Sequence, residues 1–332
     1  MTTESRLRTL VALATAGSVR GAASRLTVTE SAVSASIGAL ARELGVPLVE
    51  PVGRGLRLTT SGTVYAQYAR RVLGLLDEGA AAAAAELDPE RGRLRLAAVT
   101  TAGEHLLPAL LADFRRQHPG IALALEVAPS AQVWDLIGAH EVDLVIGGAP
   151  PSGTEASVVA TKPNELIVVA APSVAEAFDW ANTPWLLREQ GSATRTRAES
   201  YLKVQQATPP RLVLGSNGAV VAGAVAELGC TLVSRDGVAG ELADGRLVQL
   251  PVPGTPMRRP WHAVVGSHSG AATRLFVRHL HSSGWRVPGS RPAVSPVPAI
   301  NGSPPRRARF RVNDMSRVNA GGADAPAVEG ES

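Results

Sequence analysis

Near residue 92 the hydrophobic period of this 332-residue chain changes. Before that point apolar residues recur at helical spacing; beyond it, short apolar runs of strand length alternate with helical stretches. Two regimes in one chain call for at least two folding units, and the length agrees with two domains. In the first regime Leu7, Leu10, Val11 and Ala14 make one buried stripe, stopped by Gly17. Ser18 is placed to cap a second helix carrying Ala22, Ala23 and Leu26. Thr29 is placed to cap a third, with Val33, Ile37, Leu40 and Leu44 on one face and Gly45 and Pro47 at its end. Two extended runs then flank Gly53-Arg54-Gly55, a hairpin tip.

From Thr60 to about Leu87 a long helical pattern keeps Val64, Tyr68, Val72, Leu75 and Gly79 on one seam. Such a helix needs a partner, either a second copy or its own domain. Beyond Arg93, strands are expected at 94–99, 122–127, 142–146, 166–171, 185–187, 212–214, 231–233, 247–250 and 262–265. Helices are expected at 105–117, 130–139, 173–180, 193–206, 217–228, 236–243 and 270–282. This alternation indicates α/β layers with mostly parallel sheet, long enough for two subdomains. From 287 to 332 Pro, Ser, Gly and Arg dominate without apolar periodicity, so a disordered tail is expected. Its Arg306, Arg307, Arg309 and Arg311 read as a solvated basic patch, with nucleic-acid contact as the alternative.

No apolar run approaches the ~18–20 residues of a membrane span. Met1 to Arg6 lead into an amphipathic pattern rather than a signal-peptide core, so a cytoplasmic location and no membrane partner are expected. The single Cys230 excludes internal disulfides and multi-cysteine metal sites and reads as a buried, inert thiol. His262, His268, His279 and His281 match no metal-ligand spacing. With no nucleophile–base pair or phosphate loop in view, neither catalysis, a cofactor nor a metal is expected. The net charge is only +4, but residues 1–62 carry seven Arg against four acids, whereas 93–285 balance sixteen against sixteen.

That basic N-terminal stretch holds the strongest motif. A helix-turn-helix needs a small residue where its helices nearly touch, which Ala23 supplies. It needs apolar residues at the turn (Leu26, Val28) and inside the second helix (Val33, Ile37). The opposite flank offers Thr29, Glu30, Ser31, Ser34, Ala35 and Gly38, small enough to enter a major groove. The competing reading is a generic three-helix core. Arg54 at the hairpin tip and Arg57 on its arm resemble a wing that reaches the sugar–phosphate backbone.

The runs Ser18-Val19-Arg20-Gly21-Ala22-Ala23-Ser24-Arg25-Leu26, Val28 to Ser34, Leu44-Gly45-Val46 and Gly53 to Thr59 with Gly62 resemble the N-terminal domain of LysR-type transcriptional regulators. The resemblance continues through Gly92 to Leu96, Thr101 to Pro108, Asp143 to Ile146, Pro184 to Glu189 and Gly229 to Ser234, and covers roughly residues 5–285. It implies an α+β multi-domain protein with a winged helix-turn-helix (1–62), a long linker helix that dimerises (63–90) and a two-lobed α/β effector domain like type 2 periplasmic binding proteins (91–286). One lobe is expected at about 91–162 and 266–286, the other at about 163–265. The implied partners are double-stranded DNA, a small-molecule effector and further copies in a homodimer or homotetramer, with RNA polymerase a candidate at the promoter. The family usually carries Gln where Glu30 stands, and residues 27–41 contain no cation. Base readout is therefore expected from Thr29, Glu30, Ser31, Ser34 and Ser36, with Arg20, Arg54 and Arg57 on the backbone.

For the effector, three helix starts are expected to converge between the lobes. Thr101-x-x-Glu104 fits a capping box, the loop from Arg188 to Arg195 opens a helix, and Ser216-Asn217-Gly218 opens another. Helix N-termini suit small anions, and Arg188 or Arg195 can add a charged donor. By resemblance, Thr100, Thr101, Gly148, Ser192 and Thr194 line the cavity. Taken singly, Thr101, Ser192 and Ser216 read as plain helix caps. The expected function is ligand-responsive control of promoters by a small, anionic metabolite. The rivals are a cytoplasmic small-molecule-binding module whose helical N-terminus only oligomerises, and an enzyme on a periplasmic-binding-type fold.

Overall fold

The computed structural model describes residues 2–53, 55–88, 90–266 and 269–289. The expected tail, apart from residues 287–289, lies outside them, as do Arg54 and His268. The N-terminal module follows its apolar spacing: α1 Glu4–Ala16, α2 Val19–Leu26, α3 Glu30–Leu44, then the antiparallel hairpin β1 Val49–Val52 and β2 Gly55–Leu58. Gly17 ends α1 in the left-handed region at φ +67°, and the Ser18 hydroxyl accepts from the Gly21 amide at 3.1 Å to start α2. Leu10, Ala23, Val33, Ile37 and Leu40 are buried together. Val28 departs from expectation: it serves the turn through its amide, which donates to the Ala23 carbonyl at 3.0 Å, while its side chain is 47% exposed.

Helix α4, Thr60–Leu87, packs Ala66, Ala69 and Leu73 onto the module. Among the described residues no helix is long and apolar enough to cross a membrane. The second regime begins with β3 Gly92–Val99, a π-helical turn Ala102–Leu106 running into α5 Leu107–Gln117, β4 Ile121–Ala128, α6 Ser130–Gly138, β5 Leu144–Gly147 and β6 Ser157–Lys162. The chain then crosses to a second lobe: β7 Glu165–Ala170, α7 Pro172–Glu176, β8 Trp185–Leu187, α8 Ala193–Val204, β9 Arg211–Val213, α9 Asn217–Val225 and β10 Thr231–Ser234. A 3-10 turn Arg235–Val238, α10 Ala239–Ala243, β11 Val248–Gln249 and β12 Met257–Arg258 complete it. The return passes through β13 Trp261–Val265 and α11 Ala271–Ser282.

The first lobe's sheet has the order β4-β3-β5-β13-β6. Among the described strands, parallel ladders join β3–β4, β3–β5 and β8–β9, with one further parallel bridge between Trp185 and Cys230; β13 is antiparallel to both β5 and β6, and β10, β11 and β12 are all antiparallel to β7. The expectation of mostly parallel sheet is therefore corrected to mixed sheets. The cause is the double crossing: β13 re-enters the first lobe from the far side and slots between β5 and β6. For the same reason β13, expected in the second lobe, pairs in the first. Strands β6 and β12 were not anticipated. β6 lies at a sheet edge with a half-exposed face, and β12 is only two residues long.

The start of α4 is fastened to the hairpin. The Thr59 amide donates to the Leu48 carbonyl at 3.0 Å, and its hydroxyl accepts from the Gly62 amide at 2.9 Å. A Cβ on Gly62 would collide with that same Leu48 carbonyl oxygen. Gly62→Ala is thus expected to destabilise the N-terminal module by about 1–3 kcal/mol despite the better helix propensity of Ala. The check is the urea midpoint followed by helical circular dichroism; an unchanged midpoint would contradict the close approach.

Candidate functional site

Two concavities collect the candidate residues. The first lies on the N-terminal module. Thr29 caps α3, its hydroxyl accepting from the Ala32 amide at 3.2 Å and sharing a 3.0 Å hydrogen bond with Ser31 Oγ. Burial of Val33, Ile37 and Leu40 leaves Thr29, Glu30, Ser31, Ser34, Ala35 and Gly38 exposed. A groove of about 690 Å³ runs between Ser18 and Arg20 of the α2 start, Glu30, Ser31 and Ser34 of α3, and Gly53 at the hairpin tip. Ser36 is not part of this flank. It is half-buried, because steps of about 100° per residue place it on the far side of the apolar stripe.

The cations of this face already have partners. Arg20 Nε is 3.3 Å from Glu30 Oε1, and Arg57 Nη2 is 2.6 Å from Glu50 Oε1 across the hairpin. Both pairs are exposed, and such pairs contribute roughly 0–1 kcal/mol. A phosphate can therefore displace the carboxylate at little cost. Arg54 lies outside the described residues.

The second concavity lies between the lobes of the C-terminal part. Thr100 and Thr101 after β3, Arg188 after β8, and Ser192 and Thr194 at the start of α8 all border it. It measures about 30 Å³, room for roughly one water. Admitting a larger solute requires the lobes to part. Thr101 does not form the expected capping box. Its backbone is already helical at φ −61° and ψ −39°, and it makes no capping bond. Ser192 does cap α8, accepting from the Arg195 amide at 3.4 Å while facing the cleft.

Ser216 is corrected. It is exposed, caps α9 through the Ala219 amide at 3.1 Å and does not border the cleft; the neighbouring Asn217 is buried behind Arg188. Gly148 is buried just beyond β5, and a Cβ there would stand 3.3 Å from Arg259 Nη2.

The charges of the cleft are mostly committed. Arg188 grips Glu189 with Nε and Nη2 at 2.8 and 2.7 Å and reaches Asn217 Oδ1 at 3.4 Å. Those bonds hold the Glu189 carboxyl below the usual carboxylate range. Arg195 binds Glu199 at 2.8 Å and the Arg188 carbonyl at 3.1 Å. The residue that sequence reasoning missed is Arg259, which borders the cleft together with Ser130 and Ser234. Its main chain is the return crossing between the lobes: its amide donates to the Asn164 carbonyl at 2.8 Å, and Asn164 Nδ2 donates to its carbonyl at 3.0 Å. Among the described residues no carboxylate pairs with its guanidinium. Burial first, and the like charge of Arg197 second, hold its pKa below the ordinary guanidinium value.

Arg258-Arg259 ahead of the last strand was the available signal, since successive side chains of extended backbone face opposite ways. Nothing in the sequence marked that segment as a crossing. Nearby, Trp261 Nε1 donates to Asp236 Oδ2 at 2.8 Å, tying the first lobe's sheet to the second lobe. Burial pushes the Cys230 thiol up to about 12, which leaves it inert at neutral pH.

Residues 5–63 match the family model for bacterial regulatory helix-turn-helix proteins of the lysR family, and residues 87–285 match that for the LysR substrate binding domain. The chain is a LysR-type transcriptional regulator. Over 275 residues the regulator is 34% identical to the HTH-type transcriptional regulator CbbR of Rhodospirillum rubrum, covering 80% of this chain and 91% of CbbR. The CcmR regulatory domain of Synechocystis PCC6803, solved in complex with 2-PG, is 27% identical with a TM-score of 0.52, covering 57% of the regulator and 96% of that domain. Full-length CbnR, solved with its target DNA, shares the fold at a TM-score of 0.60 and 21% identity, covering 85% of the regulator and 100% of CbnR. The N-terminal module is thus a winged helix-turn-helix DNA-binding domain, and the two-lobed part is the effector-binding domain.

Proposed function

We propose that the regulator answers to a small anion bearing carboxylate or phosphate groups, held between the lobes with Arg259 as its counter-charge. The observation that carries this reading is the commitment of the other cation bordering the cleft. Arg188 is neutralised by Glu189, and Arg195 nearby by Glu199, whereas Arg259 is partly desolvated beside a second cation, an arrangement that an anion relieves. The starts of α6 and α8 bring helix N-termini and the hydroxyls of Ser130, Ser192 and Thr194 to the same cleft, which also suits an anion. The likeness to a regulatory domain solved with 2-PG supports the chemical class.

On the DNA side, the α3 flank with Thr29, Glu30, Ser31 and Ser34 enters the major groove, while Arg20, Arg54 and Arg57 meet phosphates. The exposed seam of α4, with Val64 48%, Tyr68 60%, Val72 44% and Leu75 48% accessible, pairs with a second copy. Two half-sites about one helical turn apart then face one dimer. The regulator works in the cytoplasm, at promoters.

Calorimetry with 2-PG and a panel of phosphates and carboxylates tests the cleft. A charge-assisted hydrogen bond contributes about 1.5–3 kcal/mol, so Arg259→Gln is expected to weaken the tightest binder by about 10- to 150-fold. Equal affinity in both chains would sink the assignment. Arg57→Ala is expected to weaken DNA binding alike across sequences and to reduce the salt slope by about 0.9, as read in gel shifts against salt. Leu75→Glu is expected to shift the sedimentation profile from dimer or larger to monomer; an unchanged profile would place the interface elsewhere.

A further inference from the structure

Helix α4 divides its surface three ways. Ala66, Ala69 and Leu73 are buried against the N-terminal module, Val64, Tyr68 and Val72 form the exposed seam, and Arg71, Gly74 and Glu78 lie on a third face. That third face meets the end of α6 in the first lobe. Helix α6 ends in a left-handed cap. His140 has φ +56°, its amide donates to the Ile137 carbonyl at 3.1 Å, and the Glu141 amide donates to the Leu136 carbonyl at 3.0 Å. These are the two bonds of a Schellman motif, where Gly or Asn is usual and a His is strained.

Strain of this kind persists only where the surroundings hold it. Here Glu78 holds it, with Oε2 2.9 Å from His140 Nδ1. The Ala139 amide takes the Asp135 carbonyl, and the Gly138 carbonyl accepts from Arg71 Nε at 3.1 Å. Helix α4 thereby completes the C-terminal cap of α6, with a cation at the negative end of its dipole. Gly74 permits this approach, since a Cβ there would collide with the Ala139 carbonyl oxygen.

The other end of α6 is the effector cleft, bordered by Pro129 and Ser130. Between the two ends lie nine residues, ~13 Å of helix, with Val133, Leu136 and Ile137 buried on the sheet. We infer that Arg71, Gly74 and Glu78 are positioning residues that clasp α6 through Gly138 and His140, so that lobe movement at Ser130 reaches the DNA-binding arm. Parting the lobes displaces the first turn of α6, and the capped last turn carries that displacement into α4, which is packed on α1.

The inference rests on the cleft being the effector site, but its test uses DNA alone. Coupling is reciprocal: if the cleft alters DNA binding, DNA must alter the cleft. The experiment is amide hydrogen exchange on the full chain, with and without a saturating operator selected by the wild-type chain from a random DNA pool. Operator is expected to change exchange across 128–138 several-fold in the wild type. Arg71→Ala and His140→Gly are expected to abolish that change, and Arg71→Lys to retain most of it. His140→Gly also relieves the left-handed backbone, so its thermal midpoint should not fall, which separates lost coupling from unfolding. If Arg71→Ala fails to bind operator, His140→Gly decides. No change across 128–138 in the wild type, or the same change in both disrupting variants, would overturn the clasp. Failure of every anion to bind at Arg259 would instead count against the proposed effector class and leave the exchange result standing.

Discussion

A single helix, α4, packs against the N-terminal module on one side and the first lobe on another, and leaves a third, apolar side exposed. Close approach is arranged by glycine where the α4 backbone comes up against a carbonyl, Gly62 over Leu48 and Gly74 over Ala139. Small side chains, Ala66 and Ala69, let α1 sit close along the helix, and Leu73 supplies the larger apolar contact. Burying a leucine contributes about 1.5–3 kcal/mol, whereas the polar contacts on the effector-domain side are individually weak. The N-terminal module is therefore held firmly to the helix, and the effector domain is held by a few directional bonds.

In the effector domain, a half-buried cation and both lobe crossings share the same short segments. The two crossings between the lobes lie side by side, joined by reciprocal hydrogen bonds between Asn164 and Arg259, with Ser234 Oγ donating to Asn164 Oδ1 at 2.7 Å. Arg259, which pairs with no carboxylate among the described residues, thus sits on the return crossing itself. The Trp261–Asp236 hydrogen bond spans the lobes beside it.

Much of the N-terminal module was legible because its determinants are local. The caps Ser18 and Thr29, the stops Gly17 and Gly45 and the stripe Val33, Ile37 and Leu40 each act within a few residues of chain, and all stand where the spacing puts them. Ser36 was misplaced because a run of small polar residues hides which flank each occupies. Thr101 borders the cleft without forming the expected capping box, and Ser216 caps α9 away from the cleft. A Thr or Ser ahead of a helical pattern reads alike whether it caps, lines a cleft or does both. The clasp on α6 was invisible because Arg71 and His140 are 69 positions apart and neither belongs to a local motif.

Sequence alone determined the helical DNA-binding front, the long seam-bearing helix and the alternating α/β character of the rest, since each depends on periodicity or on capping within a turn. Tertiary structure alone decided that β13 returns to the first lobe, that the sheets are mixed, that Arg188 is neutralised by Glu189 and that Arg259 borders the cleft with no carboxylate partner among the described residues. These depend on which distant segments meet. Non-local pairing is set by the packing of whole faces, and no short window of sequence records it.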